Sequence, residues 1–335
     1  MRNIKAVIPV AGMGSNLRPH THTQPKALVP VAGKPILAHI IDALLEVHIT
    51  HFVLIIGYLG DKIEKYVSEQ YPFIKASYVI QEPRLGLGQA IALTKDNFSN
   101  GEEMLIILGD TIINADLQAF IDTPNSVLGV KKVDNPGLFG VAEVDTQGII
   151  RKLIEKPSIP KSNLALIGIY KITDSKRLLE NLKHLLDNAI KTQNEYQLTD
   201  GLMRMINEGE KFTTLQVSNW YDCGKKETLL EANAILLNKS GYKNIAYPDF
   251  PGSIIVPPVS IGKNCNIRSS IIGPNVAIGD DTVIAYSIIQ ESIIGSFSEL
   301  ENAVLKHSII GNDSILKGMN QSLNIGDNTE INFNK

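Results

Sequence analysis

Six times beyond residue 252 an isoleucine is followed directly by glycine. The segments read "IGKNCN", "IGPNVA", "IGDDTV", "IGSFSE", "IGNDSI" and "IGDNTE", with units such as "LENAVL" between them. An aliphatic residue beside glycine at about six-residue spacing marks a hexapeptide-repeat β-helix. Each face of such a triangular coil takes one inward aliphatic side chain, and each corner must turn tightly. Residues 252–335 are therefore expected to form a left-handed parallel β-helix of about four coils. The Gly-, Pro- and polar-rich residues 240–251 read as a linker.

Residues 1–239 follow another rhythm. "IKAVIPV" is a short apolar run of the kind a buried parallel strand shows. Pro35 suits the first position of a helix. The pairs Ile36/Leu37, Ile40/Ile41 and Leu44/Leu45 then repeat at helical spacing. "HFVLIIG", "DKIEKYVSEQ", "ASYVIQE", "GLGQAIALTKDNF" and "EMLIILGD" continue the strand–helix alternation. The fold class expected is α/β, with a Rossmann-like, doubly wound, mostly parallel sheet. Its ligands belong at the C-terminal ends of the strands.

Composition narrows the partners. A net charge of −3 over 335 residues gives no basic footprint for nucleic acid or for an anionic membrane. No stretch approaches the roughly 20 apolar residues of a membrane span. Cys223 and Cys265 are far apart and lack metal-ligand spacing, which favours reduced thiols. The "MRNIKAVIPV" start carries no long apolar leader region. A cytoplasmic protein acting on small molecules is the expectation.

The chemistry begins in "AGMGSNLRPHTHTQPKALVP", Ala11 to Pro30. Gly12 and Gly14 follow a strand, where glycines let backbone N–H groups approach phosphate oxygens. The loop is neither a G-x-G-x-x-G fingerprint nor a P-loop, since no Gly-Lys-Ser/Thr follows. Lys26 lies just beyond it, directly after Pro25. His20 and His22 have no companion ligands and read as loop histidines.

The loop, "PK" and "VAGKPILAHIID" resemble the sugar-1-phosphate nucleotidylyltransferase family, of the glucose-1-phosphate thymidylyltransferase type. The motifs continue in order through residue 237, and an appended β-helix is common in that superfamily. The resemblance implies that Ala11, Gly12, Gly14 and Ser15 wrap the nucleotide phosphates. Gln81 and Gly86 of "QEPRLGLGQA" would read a pyrimidine edge. Asp110 of "LGD" and Asp222 of "WYDCG" would be the Mg²⁺ carboxylates. Gly140 of "FGVAEVD" would line the sugar pocket, with Glu155 accepting from sugar hydroxyls and Lys156 of "EKPSIPKSN" binding the sugar phosphate. Glu195 of "NEYQLTD" would be an acidic site residue. The substrates implied are an NTP, dTTP or UTP favoured, and a hexose 1-phosphate, glucose 1-phosphate favoured.

The set makes chemical sense. A sugar-phosphate oxygen must attack the α-phosphorus of a triphosphate in line, and both reactants are anions. Charge neutralisation and positioning therefore do the work, with no nucleophilic Ser or Cys required. Two carboxylates at strand ends can hold Mg²⁺, and Lys26 can neutralise the triphosphate side and Lys156 the incoming sugar phosphate. Each residue alone also has a structural reading: Asp110 as a strand-end cap, the lysines as solvated surface, Gln81 as a strand-end amide, Trp220 as packing.

One position departs from the family pattern. Asn16 stands where most relatives carry an arginine over the triphosphate. Asn offers an amide hydrogen bond but no charge, and losing one charge-stabilising donor costs on the order of 10²–10³ in rate. Arg18, two residues on, is a candidate substitute. The alternatives are an active but slow enzyme that relies on Mg²⁺ and Lys26, and a catalytically weakened paralogue that binds sugar nucleotides as a regulatory subunit. An acyltransferase role for the β-helix would rest on His307 alone as base. Homo-oligomer formation is the more direct expectation for its flat faces.

Overall fold

The glycine loop leaves the end of a largely buried strand. In the computed structural model, which describes residues 3–217, 219–239 and 247–318, Ile4–Pro9 pairs in parallel with His51–Ile56 on one side and Glu103–Ile107 on the other. Lys75–Ile80 extends the parallel set beyond His51–Ile56. Val7, Ile8, Leu54, Ile55, Leu105 and Ile106 are all inaccessible to solvent. Such continuous apolar runs belong to strands covered on both faces. Strand order reverses between Ile4–Pro9 and Glu103–Ile107. That is the topological switch point at which α/β sheets open a ligand crevice.

The far half of the sheet is mixed. Leu164–Ile172 runs antiparallel to Glu103–Ile107, to Ser126–Lys132 and to Gly140–Val144. Gly140–Val144 pairs antiparallel with Ile150–Glu155, and Phe212–Gln216 runs parallel to Ser126–Lys132. Helices cover the sheet with apolar faces. Ser175–Asp187 buries Leu178, Leu179, Leu182 and Leu185, and its Asp174 cap accepts from Arg177 N at 3.0 Å. Pro35 stands one place earlier than helical spacing predicts. It caps Ile36–Glu46 from outside, held in a short bridge to Pro30.

The C-terminal repeats form three parallel sheets of four strands each, a left-handed parallel β-helix. Ile261, Ile278, Ile294 and Ile310 stack in register as one column. Ile267, Ile284, Leu300 and Leu316 form another. The glycine after each isoleucine of the first column has a direct cause. A β-carbon at Gly279 would lie 2.5 Å from Ser296 N, and one at Gly295 2.5 Å from Asn312 N. Successive coils approach too closely there for any side chain. The sixth repeat, at residues 325–330, and linker residues 240–246 lie outside the described residues.

Chain contacts divide the molecule into Met1–Ala232 and Asn233–Lys335. Within the second, the Asn233 and Asn238 side chains of the helix Lys226–Lys239 donate to Asn275 at 3.1 and 3.0 Å. Among the described residues no helix is long and apolar enough to cross a membrane.

Candidate active site

The glycine loop folds back on Lys26. Gly14 takes a left-handed conformation, φ 61°, and opens a single turn of 3-10 helix, Ser15–Leu17, anchored by buried Leu17. Thr21 Oγ1 donates to Gly14 O at 2.7 Å. A β-carbon at Gly14 would lie 2.9 Å from both Thr21 Cγ2 and Lys26 Cβ, so glycine is what lets loop and lysine touch. Gly12 differs: a β-carbon there would meet no atom among the described residues within 4 Å. Its openness leaves room for a ligand. Ala11 is buried beneath the loop, whereas Ser15, Asn16 and Arg18 are exposed.

Lys26 Nζ lies 2.7 Å from Asp110 Oδ2, with the lysine side chain 15% and the aspartate 42% accessible. Asp110 reaches this point because Gly109 fits against the first strand. A β-carbon at Gly109 would collide with Val10 Cγ1 at 2.3 Å. Asp222 arrives from far along the chain. Asn219–Asp222 pairs antiparallel with Thr111–Asn114, setting Asp222 opposite Thr111. Cys223 N donates to Asp110 O at 3.0 Å. Gly224 N donates to Asp222 Oδ1 at 2.8 Å. A β-carbon at Gly224 would lie 2.7 Å from that oxygen and 3.4 Å from Lys26 Nζ. Lys26, Asp110 and Asp222 thus form one cluster beside the glycine loop. Its two carboxylates are oxygen donors of the kind that hold Mg²⁺ together with waters and phosphates. Among the described residues no set of three or more His, Cys, Asp or Glu forms a complete cage.

A second cluster lies around Gln81. Its buried amide nitrogen donates to Gly86 O at 3.1 Å and to Gln89 Oε1 at 2.7 Å. Gly86, at φ 118°, presses against the following site segment: a β-carbon would lie 2.6 Å from Tyr196 O. Gly88 N donates to Tyr196 O at 2.7 Å, and Tyr196 N to Leu85 O at 2.8 Å. The Gln81–Gly86 and Glu195–Tyr196 segments are therefore stitched together through backbone.

The third cluster joins Gly140, Glu155 and Thr199. Gly140 pairs with Glu155 across adjacent strands, and Thr199 Oγ1 donates to Glu155 Oε2 at 3.1 Å. A β-carbon at Gly140 would stand 3.1 Å from that same oxygen. Lys156 follows in a left-handed conformation, φ 39°, a strained state for a non-glycine residue. Its N–H donates to Phe139 O at 3.0 Å, and Gln193 Nε2 donates to its carbonyl at 3.4 Å. The Phe139 ring meets Trp220 edge-on, 5.2 Å between centroids. Phe139 thereby links Lys156 to the strand that carries Asp222. Lys156 and Glu195 are exposed.

Residues 5–239 match the nucleotidyl transferase family. The chain belongs to that family. It is 34% identical over 248 residues to the low-salt glycan biosynthesis nucleotidyltransferase Agl11 of Haloferax volcanii, covering 72% of this chain and 68% of that protein. It is 29% identical over 316 residues to a glucose-1-phosphate thymidylyltransferase of Streptomyces griseus, covering 87% of each. A Bacillus anthracis protein assigned as a glucose-1-phosphate thymidylyltransferase, solved with sucrose, superposes with a TM-score of 0.61 at 29% identity, covering 73% of this chain and 98% of that one.

Electrostatics sort the site's groups within this nucleotidyl transferase. Burial pushes the Glu155 carboxyl above its ordinary range, and nearby Asp200 and Glu195 push it further. The Thr199 hydrogen bond and Lys156 oppose them. Burial holds the Cys223 thiol up to about 12, so Cys223 stays protonated and serves as packing. Three contributors were not apparent from spacing: Gln89, which braces Gln81; Thr199, which holds Glu155; and Gly224, which makes room for Asp222. Thr199 stands inside the "QLTD" run that follows Glu195. Its hydroxyl could have been read there as a hydrogen-bond donor, but not its partner.

Proposed function

We propose that this nucleotidyl transferase joins dTTP or UTP to a hexose 1-phosphate, glucose 1-phosphate foremost, releasing pyrophosphate and an NDP-sugar. The observation that carries the reading is the Lys26–Asp110 pair with Asp222 beside it at the mouth of the glycine loop. A sugar-phosphate oxygen forms the new bond to the α-phosphorus. The bond to the bridging oxygen breaks, and pyrophosphate leaves with its electron pair. Backbone N–H groups around Gly12 and Gly14 cradle the phosphates, and Lys26 bears on the triphosphate side. Lys156 receives the sugar phosphate, Glu155 accepts from sugar hydroxyls, and Glu195 stands at the pocket's edge. Asp110 and Asp222 would hold a Mg²⁺, which would supply positive charge to the phosphate oxygens.

Base choice follows from Gln81. Its amide nitrogen is committed to Gly86 and Gln89, leaving the amide oxygen as the group it offers. That oxygen accepts from the N3–H of thymine or uracil; cytosine has no proton there. The protein is placed in the cytoplasm as a homo-oligomer, on the same reading.

The test is a matrix of NTPs against sugar 1-phosphates with Mg²⁺, followed by pyrophosphate release. Turnover is expected to be fastest with dTTP or UTP and glucose 1-phosphate. Tight binding of nucleotide sugars with no turnover for any pair would overturn the enzyme. It would leave instead the regulatory reading that Asn16, exposed and uncharged, motivates.

A pH dependence follows from Glu155. Its raised pKa means that the accepting carboxylate is lost at a higher pH than for an ordinary glutamate. KM for the sugar phosphate should therefore climb as pH falls through that raised value, and Glu155→Gln should abolish the dependence. The stability sign is opposite. A native pKa above the unfolded one favours folding at low pH, and that contribution is lost as pH rises through the native value. Glu155→Gln should accordingly be no less stable than the native chain at neutral pH, by thermal melting.

A further inference from the structure

The glycine loop carries two cations, Lys26 and the exposed Arg18, and Lys26 is paired with Asp110 at 2.7 Å. Asn16 adds none, and an incoming triphosphate brings several negative charges more. The chain supplies another cation directly after the residue that touches this cluster. Lys225 follows Gly224, whose position for a β-carbon is 3.4 Å from Lys26 Nζ. Consecutive Cα atoms stand about 3.8 Å apart, so the lysine's flexible four-carbon stem begins beside the cluster.

Two further observations single out Lys225. Its backbone is pinned. Lys225 N donates to Thr228 Oγ1 at 3.4 Å, Thr228 Oγ1 donates back to Lys225 O at 3.2 Å, and Leu229 N donates to the same carbonyl at 2.9 Å. Its side chain is exposed, and among the described residues its ammonium has no ion-pair partner. The second observation is an electrostatic conflict. Lys225 and Lys226 open the helix Lys226–Lys239, at the end where the helix dipole is positive and carboxylates are favoured. Two lysines there work against the helix, and Glu227 in the first turn offsets only part of that. An anion bound in front of them reverses that cost, because dipole and ammonium then act together.

We infer that Lys225 is a catalytic residue, its ammonium meeting the triphosphate and the departing pyrophosphate and supplying the charge that Asn16 does not. This rests on the nucleotidyl-transfer reading above and adds one group to it.

The test is a double-mutant cycle of Lys225→Gln and Asn16→Arg in the full chain with Mg²⁺. Lys225→Gln is expected to lower kcat by on the order of 10²-fold and to weaken binding of inorganic pyrophosphate about tenfold. Lys225→Arg should recover most of both. In the Asn16→Arg background the same Lys225→Gln change should cost several-fold less, because the two charges serve the same oxygens. Thermal stability should not fall, since a charge opposed to the helix dipole is removed. Unchanged kcat and pyrophosphate affinity in Lys225→Gln would overturn the inference, as would equal losses in both backgrounds or a loss that Arg does not restore. Those outcomes leave the proposed function standing if the native chain turns over. Absence of turnover in the native chain strikes the proposed function instead, and pyrophosphate binding still tests Lys225.

Discussion

Asp110→Asn is expected to lower the rate of pyrophosphate release by on the order of 10²–10³-fold at saturating substrates. The substitution keeps the size of the side chain and removes its charge, so on the proposed reading the loss falls on cation binding. It also leaves Lys26 without its partner 2.7 Å away, free to bind the triphosphate before chemistry begins. Ground-state nucleotide binding should hold or tighten while kcat collapses, the pattern of a group that acts in the transition state. Stability should hardly move. Asp110 is 42% accessible, and ion pairs at that exposure contribute about 0–1 kcal/mol. Initial rates across a Mg²⁺ titration, with a thermal melt alongside, separate the two effects. A loss of less than tenfold at every Mg²⁺ concentration would remove Asp110 from the metal site.

Gly86→Ala is expected to damage fold and function together. At φ 118° and ψ 170° the backbone lies where only glycine is comfortable, and a side chain there costs about 1–3 kcal/mol. The added β-carbon also meets Tyr196 O at 2.6 Å, Tyr196 N at 2.8 Å and Glu195 Cβ at 3.0 Å. Backbone atoms cannot turn aside as a flexible side chain can, so the two segments must separate. Separation breaks the Gly88–Tyr196 and Tyr196–Leu85 hydrogen bonds and loosens the carbonyl that fixes Gln81. KM should rise about tenfold or more for nucleotide and sugar phosphate alike, with a lowered melting temperature. A rise confined to the nucleotide would show that Gly86 serves base binding only and does not couple the two pockets.

The extent to which the site could be read in the sequence depended on how local each contact is. Gly14 and Lys26 touch within one loop, which the sequence already marked as a phosphate-binding segment. Glu155 and Lys156 are adjacent, so their shared place followed from one motif. Gln89 and Thr199 were passed over because their roles consist of bonds to Gln81 and Glu155. Residue type and spacing do not disclose such partners. The expected mostly parallel sheet holds from Glu103–Ile107 to Lys75–Ile80 and gives way at Leu164–Ile172 to mainly antiparallel pairing.

By itself the sequence determined the β-helix and the glycine loop. In the β-helix each inward site must be aliphatic, and close packing of the next coil excludes a β-carbon at Gly279 and Gly295. Repetition writes that constraint into the chain. Only the tertiary structure decided how Asp222 is brought to Asp110 and that Gly224 lies against Asp222 and Lys26. The antiparallel pairing of Asn219–Asp222 with Thr111–Asn114 accomplishes this. The physical reason is range. Local sterics and hydrophobic period act over a few residues and can be read directly, whereas the meeting of two distant strands depends on how the whole sheet buries its apolar faces.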